Sequence, residues 1–400
     1  MTRYYRWVLA AIAVLLLVSR NLLADVTLDL LWFRELGQRA VYTKVLTTEV
    51  LLGATFGIAF FLLVYANLWL ARRWAPPIPR IMDDLGFRER AGDLARRTLD
   101  AGILGATLLV AALAGMIAAT QWQPFLLFSH PTVFGTVDPL FGKDLSFYVF
   151  RLPFLVQLYH WFMVTALLAF LGTAGIHYFD RALQIVTGIP RFAPHVKIHL
   201  SILVAVILAI RGWGFGLDSY GLLYSTAGHV FGAGYTDVQA RLLGFRVLEV
   251  LCFVAALVVL GSIWVRSMTV PLVALGGLVG VWVLLGILYP AFVQKFQVDP
   301  QEVTVERPFI KNNIEFTRKA YGLDGVEVRN LSGQAGLTAE VVEQNRDVVS
   351  NVRLWDYSQL KTLFSQQQEL RQFYTFNDVD VDRYPIGGSI RQVMLSAREM

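Results

Sequence analysis

The chain has 400 residues, 56% hydrophobic and 16% charged, with a mean hydropathy of +0.52. Soluble domains carry about 25% charged residues, so this composition argues against an ordinary soluble enzyme. It rules out disorder and, with Cys252 the only cysteine, a disulfide scaffold. The formal charge of +5 is unevenly spread: 22 Lys and Arg against 15 Asp and Glu up to Tyr289, then 13 against 15 from Pro290 onward. The basic excess therefore sits in the apolar part, where it orients a membrane chain. No basic stripe on a soluble surface marks nucleic acid as a partner.

A bilayer core takes about 20 apolar residues in helical form. Seven stretches meet that length: Trp7–Ala24, Val45–Leu70, Leu99–Ala119, Phe154–Ile176, Val196–Trp213, Val247–Val265 and Pro271–Tyr289. The first follows Arg3 and Arg6, as a signal peptide would, but it is long and ends in a poor cleavage site, Leu22-Leu23-Ala24. It reads as a retained anchor. The fifth is the least regular, because its unbroken run Ile202–Ile210 stops at Arg211. Trp7, Trp69, Trp74, Trp122, Trp213 and Trp264 lie near span ends, where an amphipathic ring prefers to sit. With the N-terminus cytoplasmic, 13 basic residues fall inside and 9 outside, most of the difference coming from Arg72–Arg97. An odd number of spans then places the C-terminal tail outside the cell membrane.

Between the spans, Asp25–Lys44 repeats Trp32, Phe33, Leu36 and Ala40 at helical spacing, which predicts a short helix lying on the bundle. Gln121–Pro153 and Gly214–Arg246 are long, aromatic and rich in Gly, and each holds a Val-Phe-Gly triplet, too short to establish a repeat. In the tail, Val303–Val305 reads as a short strand, and Pro308 as the first turn of a helix that Gly322 ends. A second helix is predicted over Ser358–Tyr374. Strands Asp378–Tyr384 and Ser389–Ala397 flank the turn signal Pro385-Ile386-Gly387-Gly388. The expected fold is thus mainly α: a seven-helix transmembrane bundle over residues 1–289, then a small mixed α/β extracytoplasmic domain over 290–400. The chain ends directly after a strand-like run, so the domain is expected to continue past Met400.

Candidate chemistry is sparse. Arg20, Glu49, His160, Arg211 and Glu249 all map to the outer third of the bundle, where they suit either a polar network or path, or separate local pairing. Gly276 and Gly280 form a small-xxx-small pattern, which more often means close helix packing than a site. Asp378, Asp380 and Asp382 point to one face of a strand, and their oxygens would suit Ca²⁺ or Mg²⁺. Arg383 stands where a calcium loop needs Gly, which makes a solvated face the plainer reading. His130, His177, His195, His199 and His229 are scattered, and each reads as structural. No nucleophile elbow, zincin helix or phosphate loop occurs, and no cofactor is implied.

Three long stretches carry a family resemblance: Asp138-Pro139-Leu140-Phe141-Gly142-Lys143-Asp144-Leu145-Ser146-Phe147-Tyr148; Leu222–Ser225 with Val230–Val238; and Glu306–Ile310 through Asn313-Ile314 to Thr317–Leu323. With Asp380–Tyr384 and Gln392–Glu399, these resemble uncharacterised protein family 0182, multi-pass membrane proteins usually much longer than this chain. The resemblance implies a seven-span bundle in the cell membrane followed by a large extracytoplasmic region, this chain looking like an N-terminal portion. It implies no activity and no catalytic residue. Because the shared motifs sit on the outer loops and the start of the tail, Asp138, Phe141, Asp144, Tyr148, Tyr224, Tyr235 and Asp237 are the candidate residues of an outer cap. Three functions compete. The first is a non-enzymatic anchor whose extracytoplasmic part binds an envelope protein, lipid or wall component. The second is a transporter or channel using the outer polar cluster. The third, ranked lowest, is a membrane enzyme using Asp138, Asp144 and Asp237 with a metal.

Overall fold

Apolar length alone makes most of this molecule helical. The computed structural model describes residues 20–21, 23–74, 87–179, 183–186, 189–192, 194–228, 230–265, 269–330, 336–368 and 373–399. The expected first span, Trp7–Ala24, lies almost wholly outside the described residues. Packing divides the chain into two units, Met1–Leu323 and Asp324–Met400. The expected boundary at 289/290 is not where the chain changes unit.

The first unit is a helical bundle. After a helical stretch at 23–35, which holds Trp32 and Phe33 of the predicted surface helix but is broken by a turn at Leu36–Gly37 before Ala40, it runs α1 (Arg39–Arg73), α2 (Phe87–Ala119), a short α3 (Trp122–Ser129) and α4 (Leu152–Phe179). A two-stranded hairpin, β1 (Leu183–Val186) with β2 (Ile189–Phe192), leads to α5 (Pro194–Gly221), followed by α6 (Leu242–Gly261) and α7 (Thr269–Trp282). From Thr269 to Ala320 the chain is one helical run of 52 residues, continuing α7 through a π-turn (Val283–Leu288), α8 (Tyr289–Val293), a second π-turn (Gln294–Val298) and α9 (Glu302–Ala320). Among the described residues six helices are long and apolar enough to cross a membrane. Leu51, Ile58, Leu62, Leu109, Ile117, Leu171, Leu257 and Val273 all point outward. A helix surface that apolar on its exposed side is the mark of a membrane protein.

Inside the bundle the residues are smaller. Phe60 and Val64 of α1 meet Ala111 of α2, Ala169 of α4 and Leu203 of α5, and a second cluster joins Ala205 and Leu208 of α5 to Ala255, Ala256 and Val259 of α6. The closest backbone approach is between α1 and α2: a Cβ on Gly115 would stand 2.6 Å from the Gly53 carbonyl oxygen. Among the described residues nothing approaches a Cβ on Gly276 or Gly280, so the expected close packing there is not seen among them.

Three further expectations are corrected. The fifth span does not stop near Trp213; α5 continues to Gly221, because Asp218 and Tyr159 satisfy the Arg211 guanidinium, at 3.0 and 3.2 Å. Val303–Val305 is not a strand but part of α9: it continues an existing helix and has no strand to pair with. Pro308 is internal to α9 rather than in its first turn. The C-terminal stop at Gly322 (φ +65°) agrees with the sequence.

The second unit holds α10 (Ala339–Gln344), α11 (Arg346–Val349), α12 (Tyr357–Gln368) and the antiparallel hairpin β3 (Asp380–Ile386) with β4 (Ser389–Leu395). Gly387 and Gly388, both at positive φ, make its two-residue turn. Asp356 caps α12 by accepting the Ser358 N–H (2.8 Å) and hydroxyl (2.6 Å). Asn351 ties the helical segment to β4, donating to the Ile390 carbonyl and accepting the Gln392 N–H.

Candidate functional site: a carboxylate-organised cap at one end of the bundle

The segment before α4 is built around two carboxylates. Asp138, 3% exposed, accepts the N–H groups of Leu140 (2.9 Å), Phe141 (2.6 Å) and Lys143 (2.8 Å) and the hydroxyl of Tyr148 (2.8 Å). The chain reverses at Gly142 (φ +63°), a conformation that favours glycine, and Asp138 N–H donates to the Lys143 carbonyl at 2.8 Å. Asp144 accepts the N–H groups of Phe134 (3.1 Å), Gly135 (2.8 Å) and Ser146 (2.9 Å). The Ser146 hydroxyl, with these amides, pulls its pKa down to about 2 from the ordinary 3.8. Hydrogen bonds to a charged acceptor are the stronger kind. A long Gly-rich loop thereby becomes a fixed element. It leads into a π-turn, Phe147–Arg151, that aims Phe147 and Tyr148 at Tyr220 of α5, with Phe141 against the same ring.

The other long loop uses the same device. The second Val-Phe-Gly triplet ends at Gly232, again at positive φ. Asp237, 2% exposed, accepts the Gly234 N–H (3.2 Å) and the Arg241 guanidinium (2.6 Å), and it opens a π-turn, Asp237–Arg241, at the head of α6. This loop is tied to the long terminal helix of the unit. Both carboxylate oxygens of Glu306 accept the Tyr235 N–H, at 3.0 and 3.1 Å. The Thr236 hydroxyl donates to Gln294 (2.7 Å), Asn313 donates to the Phe231 carbonyl (2.7 Å), and Tyr235 meets Phe309 edge to face. Gly234 allows this approach, since a Cβ there would be 3.1 Å from Glu306 Oε1.

The candidate cap residues thus divide between two hubs: Asp138, Phe141, Asp144 and Tyr148 in one, Tyr235 and Asp237 in the other. Tyr224 ends the short turn after α5 and is half exposed. Sequence reasoning missed Glu306 as the residue joining loop to helix, and Tyr220 as the shared aromatic partner. Glu306 stood inside a quoted motif, but its partner is 71 positions away.

Among the described residues no hydrogen bond or ion pair links Arg20, Glu49, His160, Arg211 and Glu249 to one another. Arg211 is held by Asp218 and Tyr159 and lies over the Phe215 ring at 3.7 Å. Glu249 faces Gly216 and, with Arg246, Trp213 and Tyr220, lines a cavity of about 390 Å³. His160 lines an apolar cavity of about 210 Å³ with Phe56 and Trp161. Glu49 edges an open groove between α1 and α2. Among the described residues no three His, Cys, Asp or Glu side chains are placed to hold a metal ion. Asp378, Asp380 and Asp382 therefore make no such group: Asp378 precedes β3 and turns to the Val379 N–H, and Asp382 turns to the Arg383 N–H. The carboxylates of Asp138, Asp144 and Asp237 are occupied by their own loops and offer no open ligand set. His229 lies outside the described residues. His177, His195 and His199, scattered in sequence, meet at the other end of the bundle.

The profile of the Uncharacterised protein family (UPF0182) matches residues 6–400. The chain belongs to this family. Similar members are UPF0182 proteins of Pelotomaculum thermopropionicum, 35% identical over 100% of this chain and 44% of that protein, and of Geobacter sulfurreducens, 34% identical over 98% and 44%. A third, from Trichodesmium erythraeum, is 34% identical over 98% and 43%. The chain therefore spans less than half the length of these UPF0182 relatives. No solved structure matches it.

Proposed function

We propose that this UPF0182 chain is a multi-pass anchor in the cell membrane, its N-terminus cytoplasmic, whose loop-capped end faces outward. There it presents a fixed surface to an envelope protein, lipid or wall component. The observation that carries this reading is the Glu306 carboxylate on the Tyr235 amide. It joins the helix leaving the last span to the loop before α6, so the cap and the start of the polar tail form one body. Within it Asp138, Asp144 and Asp237 are engaged by their own loops and Glu306 by the Tyr235 amide. Its exposed apolar residues, Val133 at 75% and Phe231 at 60%, crown the two hubs and are the contact surface this reading requires. A photo-crosslinking residue at each tests it in living cells. The expected result is a discrete crosslinked envelope species from one or both positions, weakened in Glu306→Ala, which frees the second loop. Uniform absence of such a species from both sites, with the protein at normal abundance, overturns the reading.

A second reading, a transporter or channel, is favoured by the cavity that Arg246 and Glu249 line together. It predicts that Glu249→Ala abolishes a flux in reconstituted vesicles.

A further inference from the structure

One cavity of the bundle is lined by two opposite charges that the protein itself leaves apart. Arg246 and Glu249 stand three residues apart on α6, within a helix of spanning length, Asp237–Gly261. Side chains at that spacing are neighbours on a helix and pair readily. Here both line the cavity of about 390 Å³ between α4, α5 and α6. Among the described residues the two form no ion pair, and neither side chain has a hydrogen-bond partner. Unpaired charges in a bilayer-spanning bundle are costly and point to function.

The walls place each charge. Glu249 is half-buried and lies across α5 at Gly216, where a Cβ would come 3.0 Å from its Oε1 and 3.5 Å from its Oε2. Glycine at 216 thus lets the carboxylate rest against the helix backbone. Arg246 lies about 4.5 Å nearer the cap, three residues of helical rise. Four rings complete the lining: Phe141 and Phe147 from the first cap loop, Trp213 and Tyr220 from α5. Tyr220 meets Phe141 and Phe147 edge to face at 5.0 and 5.1 Å, so this wall is packed. The Trp213 indole N–H and the Tyr220 hydroxyl have no partner among the described residues. A second cation borders the same wall, since Lys143 Nζ stands 5.8 Å from the centroid of the Phe147 ring.

We propose that this cavity binds an aminoalkyl phosphate of the phosphoethanolamine type. The Arg246 guanidinium matches two phosphate oxygens at once, with Lys143 at the adjoining wall. The Glu249 carboxylate accepts the N–H groups of the primary ammonium, and the ring faces attract the same cation. A ligand of one charge would leave either Arg246 or Glu249 uncompensated. An α-amino acid carries both charges on one carbon, whereas an ethylene bridge holds them apart, as the two side chains are. A free phosphate monoester, close to doubly charged at pH 7, with one ammonium complements two cations and one carboxylate. The same group also occurs as a phospholipid headgroup, with one negative charge fewer. The proposal deepens the transporter reading and rests on it for the cavity; what it adds is the ligand.

The untagged chain in non-ionic detergent is titrated by calorimetry with phosphoethanolamine, phosphocholine and inorganic phosphate, and with dihexanoyl phosphatidylethanolamine below its micellar concentration. One phosphoethanolamine group per chain is expected. It should bind at least about 10-fold more tightly than phosphocholine, whose ammonium has no N–H to give Glu249. Binding of the free compound marks a soluble ligand, and binding of the lipid form alone marks a headgroup site; either supports the proposal. Glu249→Gln is expected to weaken phosphoethanolamine by at least about 10-fold and leave inorganic phosphate unchanged, a split that a merely structural role would not produce. Should Glu249→Gln fail to fold, Arg246→Gln, at an exposed side chain, should weaken phosphoethanolamine and inorganic phosphate alike. Absence of stoichiometric binding of either form, an ammonium preference that survives Glu249→Gln, or undiminished affinity in Arg246→Gln overturns the site. Stoichiometric binding without flux in reconstituted vesicles overturns the transporter reading and leaves the binding site standing.

Discussion

Asp144 shows how one side chain turns a flexible loop into structure. It accepts three backbone N–H groups across a span of thirteen residues, and Ser146 adds its hydroxyl. The carboxylate form is what these donors favour, so its folded-state pKa falls to about 2 against an ordinary 3.8. The sign follows from linkage. A depressed acid contributes stability in full above its unfolded pKa, near pH 4, and loses it as pH falls through about 2. Asp144→Asn presents an amide N–H to donors that need an acceptor. Its melting temperature in non-ionic detergent should lie below wild type at pH 7, with a gap that stays constant down to about pH 4 and narrows below it. A gap that is flat from pH 7 to 2.5 would assign the effect to shape and not to charge. Asp138 was legible as a motif residue for the same reason that it folds: its four donors all lie within ten positions, so the pattern is local in sequence.

At the scale of the helices, what the sequence shows and what it hides separate by range. Span existence is legible because apolar length is a local property. The end of α5 was not, because Arg211 looks like a terminator until Asp218 one face down and Tyr159 on α4 are seen to satisfy it. The three histidines were read as unrelated because their meeting depends on the register between α4 and α5. The same holds for glycine. Gly276 and Gly280 carry the pattern of a packing seam yet face open space, while Gly53, Gly57 and Gly115, on two different helices, form the real contact. A methyl on Gly115 must push α1 and α2 apart, because the atom it meets is backbone. Gly115→Ala should cost about 1–3 kcal/mol, the usual range for overpacking. Gly276→Ala, with nothing to meet and a better helix former gained, should be neutral or slightly stabilising. Steric-trap or denaturant unfolding of both variants in micelles measures the contrast. Equal effects at the two positions would show that the α1–α2 contact is looser than drawn.

For the whole molecule the deciding quantity is the side on which each end of the bundle lies. Three helices with spanning length, Phe147–Phe179, Pro194–Tyr224 and Asp237–Gly261, separate Val133 from Trp264, so under the proposed topology, in which each crosses, the two residues lie on opposite sides whatever happens before Arg39. The same topology, with one more crossing in Thr269–Ala320, expects Val328 on the side of Val133. Which side that is follows from the basic residues, whose densest run, Arg72–Arg97, lies one spanning helix before Val133 and favours the cytoplasm. The chain is well suited to testing this, because its one cysteine, Cys252, is 1% exposed and should not react. Val133, Trp264 and Val328 are 75%, 82% and 80% exposed. In intact cells a membrane-impermeant maleimide should label Val133→Cys and Val328→Cys, leave wild type dark, and reach Trp264→Cys only after permeabilisation. Labelling of Trp264→Cys alone would invert the bundle and move the cap to the cytoplasm. Labelling of Val133→Cys and Trp264→Cys together would mean that one of the three intervening helices does not cross.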